Sequence, residues 1–377
     1  MRATVDAKAL SAAMTQVEKL IPKSGFLVLE GMLVSFSHGV CSLTGSDLTT
    51  WLTVKQPAGG DDFSFVFPHP KTVLNVCRYY DGELTVVLCG ARSDAMETYL
   101  SKTCGTEPNF TKVDLFCGQW AGEFDIIPAK DYPEPLEQET EVSFQANAGA
   151  LLKRIERVKY AVREPVDSSY RTEQTCVQFS GNDVFTVDGC RAACDTDPSP
   201  RFPRPFLTWG KGLSYLKLMG DREASVYLDT GHIWFCTEDV SLCCRREGME
   251  TFPLRNAVPK RFSEEFTVSP GEFLRELDYL QGFQPKKNRL TAVFCGGRLF
   301  LDKAESKCST SVEIEGESEL AVGFDQRYMK DALTQFKGEP RVRVKLTSGG
   351  GPIIIEAEGR NDFAMVLPVR PRIDMAA

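Results

Sequence analysis

The chain has 377 residues, of which 42% are hydrophobic and 25% are charged, as in an ordinary globular protein. This composition excludes disordered, collagen-like and coiled-coil classes, and no run approaches the roughly 18 apolar residues of a transmembrane helix. The net charge of −8 argues, taken alone, against a nucleic-acid partner. Because the N-terminal region carries Asp6, Lys8, Glu18 and Lys19 without an apolar run, we expect no signal peptide and a cytoplasmic protein.

An amphipathic helix pattern occurs three times along the chain. Its apolar residues are Leu10, Met14, Val17 and Ile21 in the first copy, Leu151, Ile155, Val158 and Val162 in the second, and Phe273, Leu277 and Leu280 in the third. This spacing places each set on one face of a helix. The copies follow one another at 141 and 122 residues, which indicates an internal repeat.

A second helix pattern recurs at nearly the same intervals. It covers Pro70–Tyr80, Lys211–Arg222 and Phe324–Lys337, and each copy is followed by a turn and then a strand pattern, at Glu83–Val86, Glu223–Val226 and Glu339–Val342. Two independent patterns at matching intervals favour three repeated modules. Each module is predicted to place two helices on antiparallel sheets, which is an α+β fold.

Further strands and two linkers complete the predicted organisation. Strands are predicted at 63–67, 226–236, 292–301 and 353–357, which are rich in β-branched and aromatic residues. Proline-rich linkers at 127–135 and 252–259 separate the modules. We therefore predict a first module at 1–126, a central module at 127–260 and a C-terminal module at 261–377.

Positive charge is concentrated on the six predicted helices. They carry a net charge of +8, so the rest of the chain carries −16, although the helix at 270–283 is itself negative. Solvated helix faces of mixed sign are one explanation. The other is a surface that collects the helices and faces a polyanion.

The 13 cysteines show no Cys-x-x-Cys pair. Without a signal peptide we expect reduced thiols, several of them in strand-like runs where cysteine acts as a small hydrophobic residue. One cluster of possible zinc ligands occurs, formed by His232, Cys236, Cys243 and Cys244. The short paired spacing usual for zinc ligands is missing from it. Core or surface thiols are the favoured interpretation, with metal binding or redox sensing as alternatives, and no metal or other cofactor is predicted.

Catalytic motifs are absent from the sequence. Asp47, Asp188 and Asp302 fall near strand ends, but they belong to different repeats. The three histidines lie beside no nucleophile motif, and the glycines at 349–351 lack the residues of a phosphate-binding loop. We therefore predict a protein that is not an enzyme.

Several short motifs make the chain similar to the bacterial sliding clamp, the β subunit of DNA polymerase III. They are Leu43-Thr-Gly-Ser-Asp-Leu48, Ile127-Pro-Ala-Lys-Asp-Tyr-Pro133, Val187-Asp-Gly-Cys-Arg-Ala192, Phe252-Pro253 with Val258-Pro259, Val322-Gly-Phe-Asp325 with Tyr328-Met329, and Met365-Val-Leu-Pro-Val-Arg370. Each motif is weak alone, but their order and spacing cover essentially the whole chain. The divergence elsewhere suggests an unusual member, such as a mobile-element copy.

The resemblance implies a homodimer joined head to tail, in which six modules form a ring around duplex DNA. Packed helices lie about 8–10 Å apart, so a ring of six helices leaves roughly 9 Å clear and a ring of twelve leaves roughly 28 Å. A duplex is roughly 20 Å wide, so two chains can encircle it and one cannot. The implied function is a processivity factor that slides on DNA and tethers the DNA polymerase catalytic subunit, the clamp loader and other replication or repair proteins.

The resemblance also implies two sets of functional residues. The candidates for mobile cations that face DNA are Lys23, Lys153, Arg154, Arg157 and Lys217. The candidates for a groove that takes a partner peptide with apolar anchors are Val187, Gly189, Cys190, Arg191, Ala192, Pro253, Val258, Met365, Leu367, Pro368 and Val369. Cys190 and Ala192 replace larger family residues, so we expect a deeper groove, and the tail at 371–377 could partly cover it. A clamp-like regulatory or mobile-element protein outside chromosomal replication is the alternative.

Overall fold

The computed structural model describes residues 1–90, 110–134, 140–163, 171–283, 291–301 and 308–370. The chain divides into two compact units, one formed by Met1–Gly149 with Ser214–Arg245 and the other by Ala150–Leu213 with Arg246–Ala377. All strand pairs among the described residues are antiparallel, and helices accompany the sheets. The boundaries proposed for three modules stay a prediction.

Strands are the commonest regular elements among the described residues. They are β1 (Arg2–Asp6), β2 (Met32–Ser37), β3 (Val40–Ser46), β4 (Thr50–Gly60), β5 (Phe63–Phe67), β6 (Glu83–Gly90), β7 (Phe110–Cys117), β8 (Trp120–Asp125), β9 (Ile127–Pro128), β10 (Val142–Asn147), β11 (Cys176–Gly181), β12 (Asp183–Val187), β13 (Arg191–Thr196), β14 (Phe202–Trp209), β15 (Glu223–Leu228), β16 (His232–Cys236), β17 (Val240–Arg245), β18 (Glu264–Val268), β19 (Thr291–Cys295), β20 (Arg298–Leu301), β21 (Ser309–Ser311), β22 (Ile314–Glu315), β23 (Val322–Asp325), β24 (Val342–Leu346), β25 (Ile353–Glu356) and β26 (Asp362–Val366).

The described α-helices are α1 (Ala7–Glu18), α2 (Pro70–Cys77), α3 (Ala148–Val158), α4 (Gly210–Leu213), α5 (Leu254–Ala257), α6 (Pro270–Gln281) and α7 (Gln326–Thr334). Short 3-10 helices cover Ala129–Asp131, Lys159–Ala161, Thr172–Thr175 and Ser214–Leu218.

In the first unit, the described strands form one hydrogen-bonded sheet of 13 strands with helices packed on it. Its main run has the order β10-β15-β16-β17-β4-β1-β6-β7-β8, and β2, β3, β5 and β9 branch from it. Helix α1 begins where the Asp6 carboxylate accepts the backbone N–H of Ala9 at 2.8 Å. Leu10, Met14 and Val17 of the predicted stripe are buried, so this face of the helix anchors it to the core, whereas Ile21 lies beyond the end of the helix.

The described strands of the second unit form a nine-stranded sheet and a four-stranded sheet. The larger sheet has the order β14-β11-β12-β13-β26-β25-β24-β18-β22, and the smaller has the order β21-β20-β19-β23. Phe273, Leu277 and Leu280 of α6 are buried in one core cluster together with the apolar face of α7. The junction of β12, β13 and β26 in the larger sheet brings distant parts of the chain together, and it positions the candidate site described below.

Several predicted elements differ from the structure, and for two of them the reason is a turn closed by local chemistry. The strand predicted at 226–236 is a hairpin, because the Asp229 carboxylate accepts the N–H groups of Gly231 and His232 at 2.7 Å and closes a turn. The strand predicted at 292–301 is also a hairpin, since Gly296 and Gly297 have φ values of +54° and +78°. The helix predicted at 211–222 is wrong in length and type: a four-residue α-helix is followed by a 3-10 helix.

The helix predicted at 148–163 also ends early, as α3 stops at Val158 and Val162 lies beyond the following 3-10 turn. The negative helix predicted at 270–283 is present as α6. No helix in the described part of the chain is long and apolar enough to cross a membrane.

Candidate functional site

An apolar row crosses four strands of the nine-stranded sheet. Val187 lies directly opposite Ala192, Ala192 lies opposite Met365, and Met365 lies opposite Ile354. Residues directly opposite one another in neighbouring strands project from the same face of the sheet. All four are buried and share an apolar cluster to which Leu254 of helix α5 also belongs. Three sequence segments that are far apart in the chain therefore build one apolar surface.

A tight hairpin turn joins β12 to β13 at the edge of this surface. Oδ1 of Asp188 accepts the backbone N–H groups of Cys190 and Arg191 at 2.8 and 2.9 Å. Gly189 has a φ of +88°, and a Cβ atom at this position would lie 2.8 Å from Nε2 of Gln174. Only glycine combines this backbone conformation with the close approach of Gln174. Asp188 thus closes the turn, because its carboxylate accepts two backbone N–H groups of the turn.

Arg191 is held on several sides, and only 10% of its side chain is exposed. Its Nε donates to Oδ2 of Asp188 at 2.8 Å, and its Nη1 donates to the carboxylate of Asp331. The guanidinium lies 4.7 Å from the ring centre of Tyr328 and 5.6 Å from that of Tyr160. Burial would lower the pKa of Arg191, but hydrogen bonds and charge from Asp331 and Asp188 outweigh it and the pKa is raised. Arg191 is therefore a fixed positive charge whose Nε and Nη1 are already engaged by acidic partners.

The segment after β26 is fixed by backbone hydrogen bonds to two parts of the unit. The N–H of Leu367 donates to the carbonyl of Cys190 at 2.8 Å, and the N–H of Val369 donates to the carbonyl of Gly323 at 2.8 Å. The side chains of Leu367 and Val369 nevertheless remain 38% and 37% exposed. An ordered backbone therefore presents two apolar side chains to solvent, which is an arrangement suited to anchoring a partner.

A cavity of about 270 Å³ opens beside the apolar row. It is lined by Val187, Gly189, Arg191, Ala192, Met365 and Leu367 together with Arg171, Glu173, Gln174, Phe252 and Ala257. Its volume lies just below the roughly 300–1,000 Å³ of typical small-molecule pockets. A cavity of this size and lining suits a few side chains of a peptide.

The opposite wall of the cavity is polar and comes from the 3-10 helix at Thr172–Thr175. Arg171 precedes this helix, and Glu173 and Gln174 lie within it. Buried Gln178 of β11 links this wall to the apolar side: its Nε2 donates to the carbonyl of Glu173 at 3.0 Å, and its Oε1 accepts the N–H of Phe252 at 2.7 Å. One buried amide therefore fixes both walls of the cavity.

Six of the eleven residues predicted for the partner groove line this cavity, namely Val187, Gly189, Arg191, Ala192, Met365 and Leu367. The other five lie nearby without lining it. Val258 packs against the apolar cluster, Pro253 directly precedes α5, and exposed Cys190 accepts the N–H of Leu367. Pro368 and Val369 continue the ordered segment. That these residues bind a peptide stays a prediction.

The sequence analysis missed five lining residues. Phe252 was noted only as a linker motif, although its side chain packs against the apolar cluster. Ala257 lies on the short helix α5, and Arg171, Glu173 and Gln174 belong to a run with no recognisable motif. The position of this run immediately before strand β11 is the one signal that could have found it. The tail at 371–377 lies outside the described residues.

One predicted DNA-facing residue is wrong. The side chain of Arg154 is only 4% exposed, because its Nε donates to Oδ1 of Asp195 at 2.7 Å and its Nη2 to the carbonyl of Asn182 at 2.6 Å. Arg157 binds the other oxygen of Asp195 at 2.8 Å but keeps an exposed side chain. Lys23, Lys153 and Lys217 are exposed. Whether the exposed four contact DNA stays a prediction.

Most of the cysteines that the structure describes are buried in the core. Burial raises the pKa of Cys41, Cys176 and Cys194 to about 12. In the suspected cluster, Cys243 and Cys244 are buried neighbours on β17, and consecutive strand residues point to opposite faces. Within the described residues, no group of three or more His, Cys, Asp or Glu side chains is placed to hold a metal ion.

The carboxylates considered for catalysis have structural partners. Oδ1 of Asp47 accepts the N–H groups of Thr49 and Thr50 at 3.1 and 2.9 Å, and Asp188 closes the hairpin turn described above. Asp302 lies outside the described residues. The geometry of Asp47 and Asp188 is thus that of turn formation.

Solved structures of sliding clamps match nearly the whole chain. The DNA polymerase III subunit β from Pseudomonas aeruginosa is 18% identical, with 98% of this chain and 100% of that chain covered at a TM-score of 0.81. A DNA polymerase sliding clamp from Caulobacter crescentus is 16% identical, with coverage of 98% and 100% at a TM-score of 0.82. A sliding clamp from Bartonella birtlesii is 18% identical, with coverage of 98% and 99% at a TM-score of 0.80.

No protein-family model and no curated protein matches the sequence. The structural matches show that the chain has the sliding-clamp fold, which confirms the α+β clamp architecture predicted from the sequence. Within that class, the fold is that of the DNA polymerase III β subunits, and an identity of 16–18% makes this chain a divergent example of it.

Proposed function

We propose that this protein is a DNA sliding clamp: a non-catalytic processivity factor whose head-to-tail homodimer encircles duplex DNA. It would tether the DNA polymerase catalytic subunit and the clamp loader through the cavity of the second unit. The observation that carries this proposal is the match of 98% of the chain to solved sliding clamps at TM-scores near 0.8.

The distribution of charge supports a sliding contact with DNA rather than a tight one. Exposed Lys23, Lys153, Arg157 and Lys217 can meet phosphates, while the net charge of −8 opposes strong general binding. Affinity from phosphate contacts falls steeply with salt. A protein with few such contacts therefore stays on DNA at moderate salt only if it encircles the duplex. Contacts to phosphates carry no sequence information, which is what movement along any duplex requires.

The cavity supports the tethering role. Its apolar row is buried, its rim carries exposed Leu367, and its two walls are fixed by Gln178. Binding energy in protein contacts is concentrated in a few anchors that enter preformed pockets. A preformed site also lowers the ordering cost of binding a flexible peptide. A short peptide segment with apolar side chains is therefore the ligand that fits the site.

Topological retention gives the decisive test for the DNA role. The protein is mixed with a linear plasmid that has cohesive ends, the ends are closed with DNA ligase, and the mixture is separated by gel filtration in salt that disrupts phosphate contacts. A ring threaded on DNA should elute with the circle and should be released when a restriction enzyme reopens it. Equal retention on linear DNA, or no retention on circles, would contradict the proposal.

The partner role is tested by the affinity of the dimer for synthetic fluorescent peptides carrying paired Leu, Met or Phe anchors. The Leu367→Asp variant places a charge on the cavity rim and should reduce affinity at least tenfold without changing the mass in solution. The control is Leu27→Asp, since Leu27 is also an exposed leucine, lies in the first unit and does not line the cavity. Unchanged affinity in a folded Leu367→Asp protein would refute this assignment of the site.

A further inference from the structure

The cavity has two chemically different halves, and the polar half carries an unused acceptor. One side is the apolar row formed by Val187, Ala192 and Met365, and the other is the wall formed by Glu173 and Gln174. Only 14% of the Glu173 side chain is exposed. Its Oε2 is buried and accepts no hydrogen bond from any residue that the structure describes.

We propose that the site selects peptides in which a lysine or arginine accompanies the apolar anchors, and that Glu173 binds this basic side chain. The inference rests on the proposed function, since it takes the cavity to be the partner-binding site. It goes further by assigning a charge requirement to the ligand and a specificity role to one residue.

The cations already near Glu173 do not donate a hydrogen bond to its buried Oε2. Nη1 of Arg171 lies 3.9 Å from the other oxygen, Oε1, and the Arg171 side chain is 81% exposed. A distance of 3.9 Å is too long for a hydrogen bond, and exposed pairs of this kind contribute little. Arg191 also lines the cavity, but its guanidinium is engaged by Asp188 and Asp331. Both arginines therefore leave the charge of Glu173 available to a ligand.

A basic ligand side chain is the group that this acceptor favours most. A buried carboxylate oxygen without a donor loses its hydration and gains nothing in return. An ammonium or guanidinium group would supply a charge-assisted hydrogen bond, which is roughly twice as strong as a neutral one. The aliphatic stem of lysine or arginine would meanwhile pack along the apolar half of the cavity. An acidic ligand side chain would face like charge and be rejected.

The test uses fluorescent nonapeptides that share two apolar anchors and differ at one scanned position, which is Lys, Met or Glu. At the position that reaches Glu173, the lysine peptide should bind about tenfold more tightly than the methionine peptide, and the glutamate peptide should bind more weakly than both. If methionine is preferred or equal at every position while the peptides still bind, the inference is wrong and the proposed partner site stands. If no peptide binds, the proposed site itself fails.

Two variants decide whether Glu173 is responsible. Glu173→Gln should abolish the preference for lysine, whereas Glu317→Gln, which removes the same charge from an exposed position of the same unit, should preserve it. Glu173→Lys should reverse the preference, so that the glutamate peptide binds more tightly than the lysine peptide. This variant provides a second test of the charge preference if Glu173→Gln folds poorly. A lysine preference that survives both Glu173 substitutions in folded protein would overturn the assignment.

Discussion

The backbone N–H of Phe252 donates a 2.7 Å hydrogen bond to Oε1 of Gln178, a fully buried side chain on strand β11. The same amide group uses its Nε2 to donate to the carbonyl of Glu173 at 3.0 Å. Gln178 therefore joins the linker that supplies the apolar wall of the cavity to the 3-10 helix that supplies the polar wall. The spacing between these walls depends on one side chain that the cavity itself does not expose.

Replacing Gln178 with methionine preserves the approximate shape of the side chain and removes both hydrogen bonds. The N–H of Phe252 and the carbonyl of Glu173 would lose their partner, at a cost of about 1–3 kcal/mol for each buried group. We expect a lower melting temperature and weaker peptide affinity in the same variant. The control is Gln145→Met, because Gln145 is exposed and its amide donates to the Ser225 hydroxyl at the surface. Equal stability of the two variants would show that the bridge is dispensable.

Gly189→Ala is expected to damage the cavity, since the added Cβ would lie 2.8 Å from Nε2 of Gln174. Gly181→Ala is the matched control, as Gly181 also has a positive φ, +59°, but a Cβ there would meet no atom within 4 Å. Both variants incur the backbone cost of roughly 1–2 kcal/mol for a left-handed conformation. Only Gly189→Ala should also reduce peptide affinity, and fluorescence anisotropy compares the two. Similar affinities would mean that Gln174 moves freely.

The repeated pattern and its apolar stripes could be predicted because local sequence determines them. Leu10, Met14 and Val17 are buried as their spacing indicates. The apolar half of the candidate site could be predicted only from motifs of the resembled family, which contain Val187, Ala192 and Met365. In the structure these residues face one another across neighbouring strands. No local rule predicts that pairing, which depends on the register of β12, β13 and β26.

Two features could not be read from the sequence, because they depend on tertiary partners. Arg154 and Lys153 are adjacent cations, and nothing local shows that one is buried on Asp195, 41 residues away, while the other is exposed. Likewise, nothing local shows that Glu173 lines a cavity. That position depends on Gln178, which hydrogen-bonds to the backbone of both Glu173 and Phe252. The net charge counted along a helix thus predicts that its exposed face is basic, but it does not predict which of the cations are exposed.

Homodimer formation is the next expected outcome. A head-to-tail ring needs two heterologous contacts that close on themselves, so assembly stops at two chains. With a chain mass of 41.9 kDa, light scattering should give about 84 kDa at micromolar concentrations. The Leu367→Asp variant should give the same mass. A monomer across that range would contradict the ring, because one chain supplies too few helices to surround a duplex.

Alkaline pH should destabilise the protein through its buried thiols. Burial raises the pKa of Cys41, Cys176 and Cys194 from 9.0 to about 12. The unfolded chain therefore loses these protons at lower pH than the folded chain does. Their contribution to stability is complete below about pH 9 and is lost as the pH rises toward 12. Urea unfolding between these limits should show a falling free energy of unfolding, and Cys176→Ala should make the fall shallower. If the free energy of unfolding falls equally steeply with pH in the wild type and in Cys176→Ala, the buried Cys176 thiol does not contribute to the alkaline destabilisation.

Substitutions of Arg154 and of its neighbour Lys153 should have different effects: the first should lower stability, and the second should weaken DNA binding. Arg154→Ala removes the partner of a buried carboxylate, since Asp195 is almost fully enclosed and would retain only Arg157. Leaving one member of a buried ion pair typically costs about 3–5 kcal/mol, so urea unfolding should show a large loss of stability. Lys153→Ala changes an exposed position and should alter stability by less than about 0.5 kcal/mol. It should instead reduce the salt dependence of weak binding to linear DNA, as removal of one phosphate contact does. If Arg154→Ala unfolds like the wild type while losing DNA binding, the side chain is not the buried structural residue described here.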